Sequence, residues 1–390
     1  MHQHVTKHSC AAAIALIFCA NAHAQSSVTL YGLIDAGVAY VSHAGATTSG
    51  SNAAWRFGNA VSGNRWGLKG NEDLGGGLAA LFQLEGGYSI GTGAAAQGGR
   101  EFGRTSIVGL SSQRWGTIKL GRQYDPLVDM VSALTEDAYF GLSFGTPGDV
   151  DNYDGSMRVN NSAKYISPKM GGVQIEALYG FGGQAGSTGA GQTWSVAAAY
   201  ASGPLSLAAG YYYADGGSTV GTNGKRTWTS SADSPFNTAI NAGFATAHSV
   251  SIARAAAQYQ YGALTGGLGY SHTEYASDAD SLFTDSARFN SGSAFVNWQF
   301  TPAARMGVGY HYTWLAGADS AHYHQVNAAF DYSLSKRTDV YALAAFQRAS
   351  GTTRNASGAS IPAQAVIGDY GVSSGSNTQT LLAVGVRQRF

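Results

Sequence analysis

Outside its first 24 residues this sequence has no cysteine: the chain's two, Cys10 and Cys19, both fall inside that stretch. No disulfide and no thiol nucleophile is available to the remainder. Charge is scarce as well, at 12% Asp, Glu, Lys and Arg, about half the usual share of a soluble globular protein. The 23 basic and 23 acidic residues balance, and no basic run interleaves with aromatics, which removes the sequence basis for nucleic-acid binding. Prolines number only 7, and beyond the first 24 residues no apolar run approaches 18, so no helical membrane span is encoded. What the chain has instead is glycine, 54 residues, and aromatics, 12%. That aromatic content excludes a disordered polymer.

Residues 1–24 read as an address. One lysine (Lys7), an apolar run from Ala11 to Ala20 and the small-x-small string Ala22-His23-Ala24 predict a secretory leader cut before Gln25. The remaining 25–390 form one unit with no linker.

From Ser27 onward the hydrophobic period is two. Val28, Leu30, Gly32, Ile34, Ala36 and Val38 share one face, while Thr29, Tyr31 and Asp35 share the other. Met306, Val308, Tyr310, Tyr312 and Trp314 alternate with small or polar residues in the same way. The polar faces carry Gly, Ser, Gln and Asn more than charge, and aromatics gather at the ends of the apolar faces. Those features predict lipid outside, water inside and interfacial aromatic girdles. Sixteen such segments run from 27–41 to 378–390. Their connections alternate between tight turns such as Gly203-Pro204 and Pro302-Ala303 and mostly long links, notably 125–160 and 216–248. The expectation is an all-β, 16-stranded antiparallel transmembrane barrel, with turns at one rim and loops at the other. Closure removes sheet edges, and a barrel of this size encloses an aqueous channel. By parity, Ile107, Val308 and Val384 are assigned to lipid, and Arg104 shares a face with Ser106, opposite Ile107.

Five strings occur in order along the chain: Ser26-Ser27-Val28-Thr29-Leu30-Tyr31-Gly32, the run from Asn64 to Gly75, Gly121-Arg122-Gln123-Tyr124, the run from Arg158 to Tyr165, and the terminal Phe390. Together they resemble Gram-negative general porins of the β-proteobacterial type. The resemblance implies a homotrimer in outer-membrane lipid passing small hydrophilic solutes and ions, with no cofactor, and a third loop folded into the lumen as a constriction. In that family, acids of the third loop oppose arginines of the wall; the matching residues are Asp125, Asp129 and Glu136 against Arg65, Arg104 and Arg158. Parity supports Arg65, because Trp66 and Leu68 take the lipid side. Some relatives place a lysine on strand 1 where this chain has Leu33, which leaves ion preference open. Arg122, at the parity of Leu120, is a candidate trimer contact for a neighbour's acid. Phe390, with Leu382, Val384 and Val386 on its face, resembles the signal read by the barrel assembly machinery.

A substrate-specific channel would need an aromatic track, for which only scattered residues such as Tyr31 and Tyr212 offer themselves. An adhesin or enzyme barrel would need a passenger domain or a catalytic set. Gly141-Leu142-Ser143-Phe144-Gly145 and Gly371-Val372-Ser373-Ser374-Gly375 match the nucleophile elbow, but in glycine-rich loops of an all-β chain. The run from Asp149 to Gly155 resembles a calcium loop with Tyr153 at a ligand position. His311 has the parity opposite to that of His322 and His324 on the neighbouring strand, so the three do not converge. Arg226 and Arg354 are expected to be exposed in outer loops.

Overall fold

A computed structural model describes residues 27–45, 52–216, 224–228, 233–317 and 319–390. The leader, with Cys10 and Cys19, lies outside the described residues.

The strands are β1 (Ser27–Ala44), β2 (Asn52–Gly58), β3 (Arg65–Gly75), β4 (Leu78–Gly87), β5 (Thr105–Ser112), β6 (Gly116–Gln123), β7 (Val159–Ile166), β8 (Val173–Gly180) and β9 (Thr193–Ser202). They continue as β10 (Leu205–Asp215), β11 (Ser249–Tyr261), β12 (Leu264–Ala276), β13 (Ala287–Gln299), β14 (Ala304–Ala316), β15 (Ala321–Ser333), β16 (Thr338–Arg354), β17 (Ser360–Pro362) and β18 (Thr378–Arg389). All pair antiparallel. Two were not legible as periodic segments: β2 takes the place of β3 beside the upper half of β1, with Phe57 opposite Val38, and β17 pairs only with the end of β16. The other sixteen form the wall, and the sheet closes because β1 pairs with β18 as well as β3.

Side-chain alternation sets the two environments. Val28, Leu30, Leu268, Val308, Val326 and Val384 project outward, while their neighbours in sequence line the interior. Trp298 lies 5.4 Å from Phe300, itself 6.0 Å from Phe330, forming part of a girdle at the short-turn rim. Tyr312 and Trp314, 5.5 Å apart, stand toward the long-loop rim. Tight turns use backbone that only glycine adopts freely: Gly75, Gly76 and Gly77 all have φ between 61° and 82°.

One parity assignment is corrected. Ile107 is 6% exposed and faces inward, whereas Val108 is 59% exposed. The strand begins at Thr105, so Arg104 belongs to the preceding loop and its inward side chain does not fix the parity of β5. An arginine at Val108 is therefore expected to lower barrel stability by about 2–4 kcal/mol near mid-membrane. Equal urea resistance of Val108→Arg and the wild type, read by heat-modifiable gel migration, would contradict the assignment.

The seam is closed at Phe390. Phe390 N–H donates to Gly32 O and Gly32 N–H donates to Phe390 O, both at 3.1 Å. The Phe390 ring lies where a Cβ on Gly32 would stand, so glycine at position 32 makes the seat.

The third long loop, 124–158, folds into the barrel and runs around its inner wall. It carries a helical turn at Leu127–Val131 and a four-residue helix, α1, at Asp137–Phe140. Gln325 Nε2 of β15 donates to Ser143 O and Gly145 O at 3.1 Å, Leu142 N–H donates to Val61 O at 3.1 Å, and Arg254 Nη1 of β11 donates to Asn152 O at 3.1 Å. Apolar residues of the loops pack beside it: Ile240 and Phe244 from 216–248, and Val366 from 355–377, join Val150, Tyr275 and Phe289 in one buried cluster. This packing occupies the β10–β16 side of the interior toward the long-loop rim; a space of about 540 Å3 lies below it between Tyr139 and Asn297 and Arg305, and another lies along β3–β7.

The loop arginines differ from expectation. Arg226 pairs with Asp278, and Arg354 Nε lies 2.7 Å from Asp319, so neither is a free surface charge.

Candidate pore constriction

Between the third loop and the β3–β7 wall lies a cavity of about 550 Å3, lined on the wall side by Arg65, Arg104, Tyr124 and Arg158 and on the loop side by Asp137, Ala138, Gly141, Asp154 and Gly155, with Asp369 from loop 355–377. The three arginines read from the sequence do come together.

Each is held differently. Arg104 Nε donates to Glu85 Oε1 at 2.6 Å and its Nη2 donates to Tyr124 Oη at 2.8 Å. Arg158 also donates to Tyr124 Oη, with its guanidinium 4.5 Å from the ring centroid, and gives Nη1 to Ser156 O at 2.7 Å. Arg65 donates to Gly63 O at 3.2 Å. One phenol oxygen thus accepts from two guanidinium groups, holding them side by side despite their repulsion. Glu85, which also accepts from Tyr31 Oη at 2.9 Å, neutralises Arg104. Among the described residues no carboxylate lies within ion-pair distance of Arg65 or Arg158. Glu85 and Tyr124 were missed as site residues, although Tyr124 stands in one of the family-like strings.

The acids chosen from sequence lie elsewhere. Asp125 is buried, accepting from Leu127 N–H at 2.8 Å and Asn152 Nδ2 at 3.1 Å. Asp129 pairs with Lys164, which also lies 3.8 Å from Glu176. Glu136 is 1% exposed, both its oxygens lack partners, and it packs against the bare backbone of Gly309. All three anchor or back the loop; Asp137, Asp154 and Asp369 take the facing positions. Burial pushes the Asp137 carboxyl up to about 7. Burial, then each carboxylate's acidic neighbours, raises Asp154 and Asp369 well above the usual range. All three keep part of their surface open to the cavity, so water moderates these shifts without reversing their direction.

Arg122 has its acid in its own chain. It is 8% exposed, with Nη1 2.6 Å from Asp233 of loop 216–248 and Nε donating to Gly103 O at 2.8 Å. The side chain has the parity of Leu120, but a bulge between Gly121 and Gln123 and the covering loops take it out of the lipid face. The calcium-like run is spent on internal bonds: Asp149 accepts from Asp154 N–H at 2.9 Å, Asp151 from the Thr146 and Ser271 hydroxyls, and Asn152 from Met157 N–H at 2.9 Å. Among the described residues no three His, Cys, Asp or Glu converge on a metal position. Tyr212 is buried in the loop-packed cluster, so it is no step in an aromatic track.

A family model described as Gram-negative porin matches residues 10–352. The chain belongs to the Gram-negative porin family. It is accordingly an outer-membrane barrel. An outer membrane porin protein of Bordetella pertussis is 39% identical over 183 residues, covering 44% of this chain and 47% of the relative. Outer membrane porin protein 32 of Delftia acidovorans is 37% identical over 203 residues, covering 48% and 54%. The chain spans about half the length of these curated relatives. An anion-selective porin from Comamonas acidovorans superposes with a TM-score of 0.69 over 94% of this porin and 100% of that chain, at 24% identity, which speaks for the fold.

Proposed function

We propose that this porin forms a water-filled channel for passive diffusion of small hydrophilic solutes and ions, and that its constriction favours anions. The carrying observation is the charge imbalance across the cavity. Among the described residues Arg65 and Arg158 face it with no carboxylate within ion-pair distance, while burial pushes the acids opposite toward their neutral forms. Arginine stays charged at any working pH. A confined, partly dehydrated passage with net positive potential admits small anions more readily and makes apolar solutes shed water at a cost. The anion selectivity named for the Comamonas porin is consistent with this reading. A channel role needs no catalysis, and among the described residues the Oγ of Ser143, in the first G-x-S-x-G string, is buried with no hydrogen-bond partner.

Single-channel recording of the purified protein in a planar bilayer tests it. Stepwise ohmic conductance scaling with salt is expected, with a reversal potential in a KCl gradient showing chloride preference. Lowering pH from 8 to 5 protonates facing carboxylates whose values are raised, so chloride preference should increase in that direction. Absence of conductance steps would overturn the channel reading. Conductance with potassium preference would overturn only the selectivity.

We further propose a homotrimer joined through the outward face of β1 and β2. Trp55 and Phe57 stand 75% and 62% exposed there beside Ala36, Val38 and Tyr40, an apolar surface that subunit packing would cover. A similarly folded outer membrane protein of Vibrio cholerae has a trimer form. Heat-sensitive oligomer bands on unboiled gels are expected, and Trp55→Glu should abolish them. Phe390 is proposed as the residue read by the assembly machinery; its deletion should lower outer-membrane yield.

A further inference from the structure

The space below the third loop, of about 540 Å3, lies on the side of the barrel away from the arginine wall and reaches the short-turn rim. Tyr139 of α1 borders it from the loop side, and its wall is made by Gln260, Thr265, Asn297, Gln299 and Arg305, which face the lumen near the short turns of β11–β14. Phe300, at the start of the β13–β14 turn, edges its mouth. The volume falls within the range of small-molecule sites, roughly 300–1,000 Å3.

Strand register builds the polar wall. Thr265 pairs with Asn297 across β12–β13, and Asn297 with Gly307 and Gln299 with Arg305 across β13–β14. Three uncharged polar side chains and one guanidinium therefore share a single patch of lumen wall. A Cβ on Gly307 would stand 2.2 Å from both Asn297 Oδ1 and the Phe140 ring, so glycine at that position lets the amide and α1 close on the same spot.

Two of these groups are left unsatisfied. Asn297 is 3% exposed, and neither its amide nitrogen nor its oxygen has a hydrogen-bond partner among the described residues. The Arg305 guanidinium lies 5.4 Å from the Tyr139 ring centroid and 5.1 Å from that of Phe140. Its hydrogen bond to the loop is long, Nη2 to Tyr139 O at 3.5 Å, and its Nε is buried without a partner. Asp331, opposite Arg305 in the β14–β15 register, is taken by Arg387 at 2.9 Å. Among the described residues no carboxylate lines the space or lies within ion-pair distance of Arg305, and Arg305 is the only charge on its lining. Buried polar groups are costly when unpaired, and a partly buried charge without a counter-charge more so.

We propose that this space is a binding site for a small aromatic carboxylate entering from the short-turn mouth. Arg305 takes the carboxylate, the Asn297 amide gives it a further hydrogen bond, and the flat ring lies between Tyr139 and Phe300. Planar guanidinium and planar carboxylate pair through two parallel bonds. A lone guanidinium matches one negative charge, where a phosphate would bring more. The aromatic lining offers apolar area that a short aliphatic acid does not cover. The site is separate from the proposed constriction because α1 stands between them: Asp137 and Ala138 line the arginine cavity, and Tyr139 lines this one. It depends on the inward path of the third loop, not on conduction or ion preference.

The test titrates the intact purified porin in detergent with benzoate near pH 7, reading the broadening of the benzoate proton lines by NMR. Competition against benzoate gives the affinities of acetate, which has the charge without the ring, of benzamide, which has the ring without the charge, and of inorganic phosphate. Each should bind at least tenfold more weakly than benzoate. Arg305→Gln should lose at least tenfold in benzoate affinity. Thr265→Trp, which fills the space from the wall and keeps the guanidinium, should lose a comparable factor. Equal affinity for any of the three competitors, wild-type affinity in Arg305→Gln, or an equal loss in Arg65→Gln, which would place the anion in the constriction cavity, overturns the proposal. Should Arg305→Gln fail to fold, Thr265→Trp decides.

Discussion

Replacing Arg65 and Arg158 together by glutamate is expected to turn the channel from anion to cation preference. Both guanidinium groups border the cavity and, among the described residues, neither has a carboxylate within ion-pair distance, so the exchange alters the local charge by four. Salt damps charges on an open surface beyond about 8 Å at physiological ionic strength, but a passage this narrow holds few counterions. The reversal potential in a KCl gradient should change sign. Arg104 is the wrong residue for this experiment, because glutamate there would face Glu85 and disturb the wall. Arg337, exposed at the short-turn rim, is the control: Arg337→Glu should move the potential little. Equal shifts from both would remove the constriction from this cavity and leave the barrel standing.

The second large effect is on stability. Glu136 is buried against Gly309 with neither oxygen hydrogen-bonded, and burial, reinforced by Asp137, pushes its carboxyl up to about 9. An unfolded chain holds glutamate near 4.3. A folded value above the unfolded one means that this group's contribution is fully present below about pH 4 and is lost as pH rises toward 9, at about 1.4 kcal/mol per unit. Glu136→Gln keeps the shape and removes the titration. At pH 8 the variant should be more stable than wild type by a few kcal/mol, seen as a higher temperature of oligomer dissociation, and the two should converge at pH 4. A difference independent of pH would show that the residue acts through packing alone.

The wall was largely legible because period-two alternation writes inside and outside into neighbouring residues, and short turns mark where strands reverse. The error at Ile107 has the same origin: the strand begins at Thr105, so extending it back to the inward-pointing Arg104 shifts its parity, and a one-residue slip exchanges the faces. The arginines of the proposed constriction were readable because all three stand at or beside strand starts, Arg65 opening β3, Arg104 preceding β5 and Arg158 preceding β7, where strand position limits direction. Their opposing acids were not. The third loop holds seven carboxyl groups between Asp125 and Asp154, and only its folded path decides which are buried, paired or facing water. Tyr124 and Glu85 escaped notice because nothing local in either residue's surroundings reveals a shared guanidinium partner. The apolar packing of Ile240, Phe244 and Val366 was hidden because the apolar residues of these loops come in runs of one to three, too short to show a period.

The seam between Gly32 and Phe390 bears on how the barrel comes into being. Hairpins such as β12–β13 can form from residues close in sequence, but the contact between the first and last strands spans nearly the entire chain. Ordering a loop of some 350 residues carries an entropy cost of roughly 5 kcal/mol, recovered only when the terminal residue docks. Until then the nascent sheet has two open margins able to accept a foreign strand. A chain cut short of Phe390 would therefore leave a curved, unsealed sheet instead of a slightly shorter pore, and the docking of that ring on Gly32 reports that every strand between the two has taken its place.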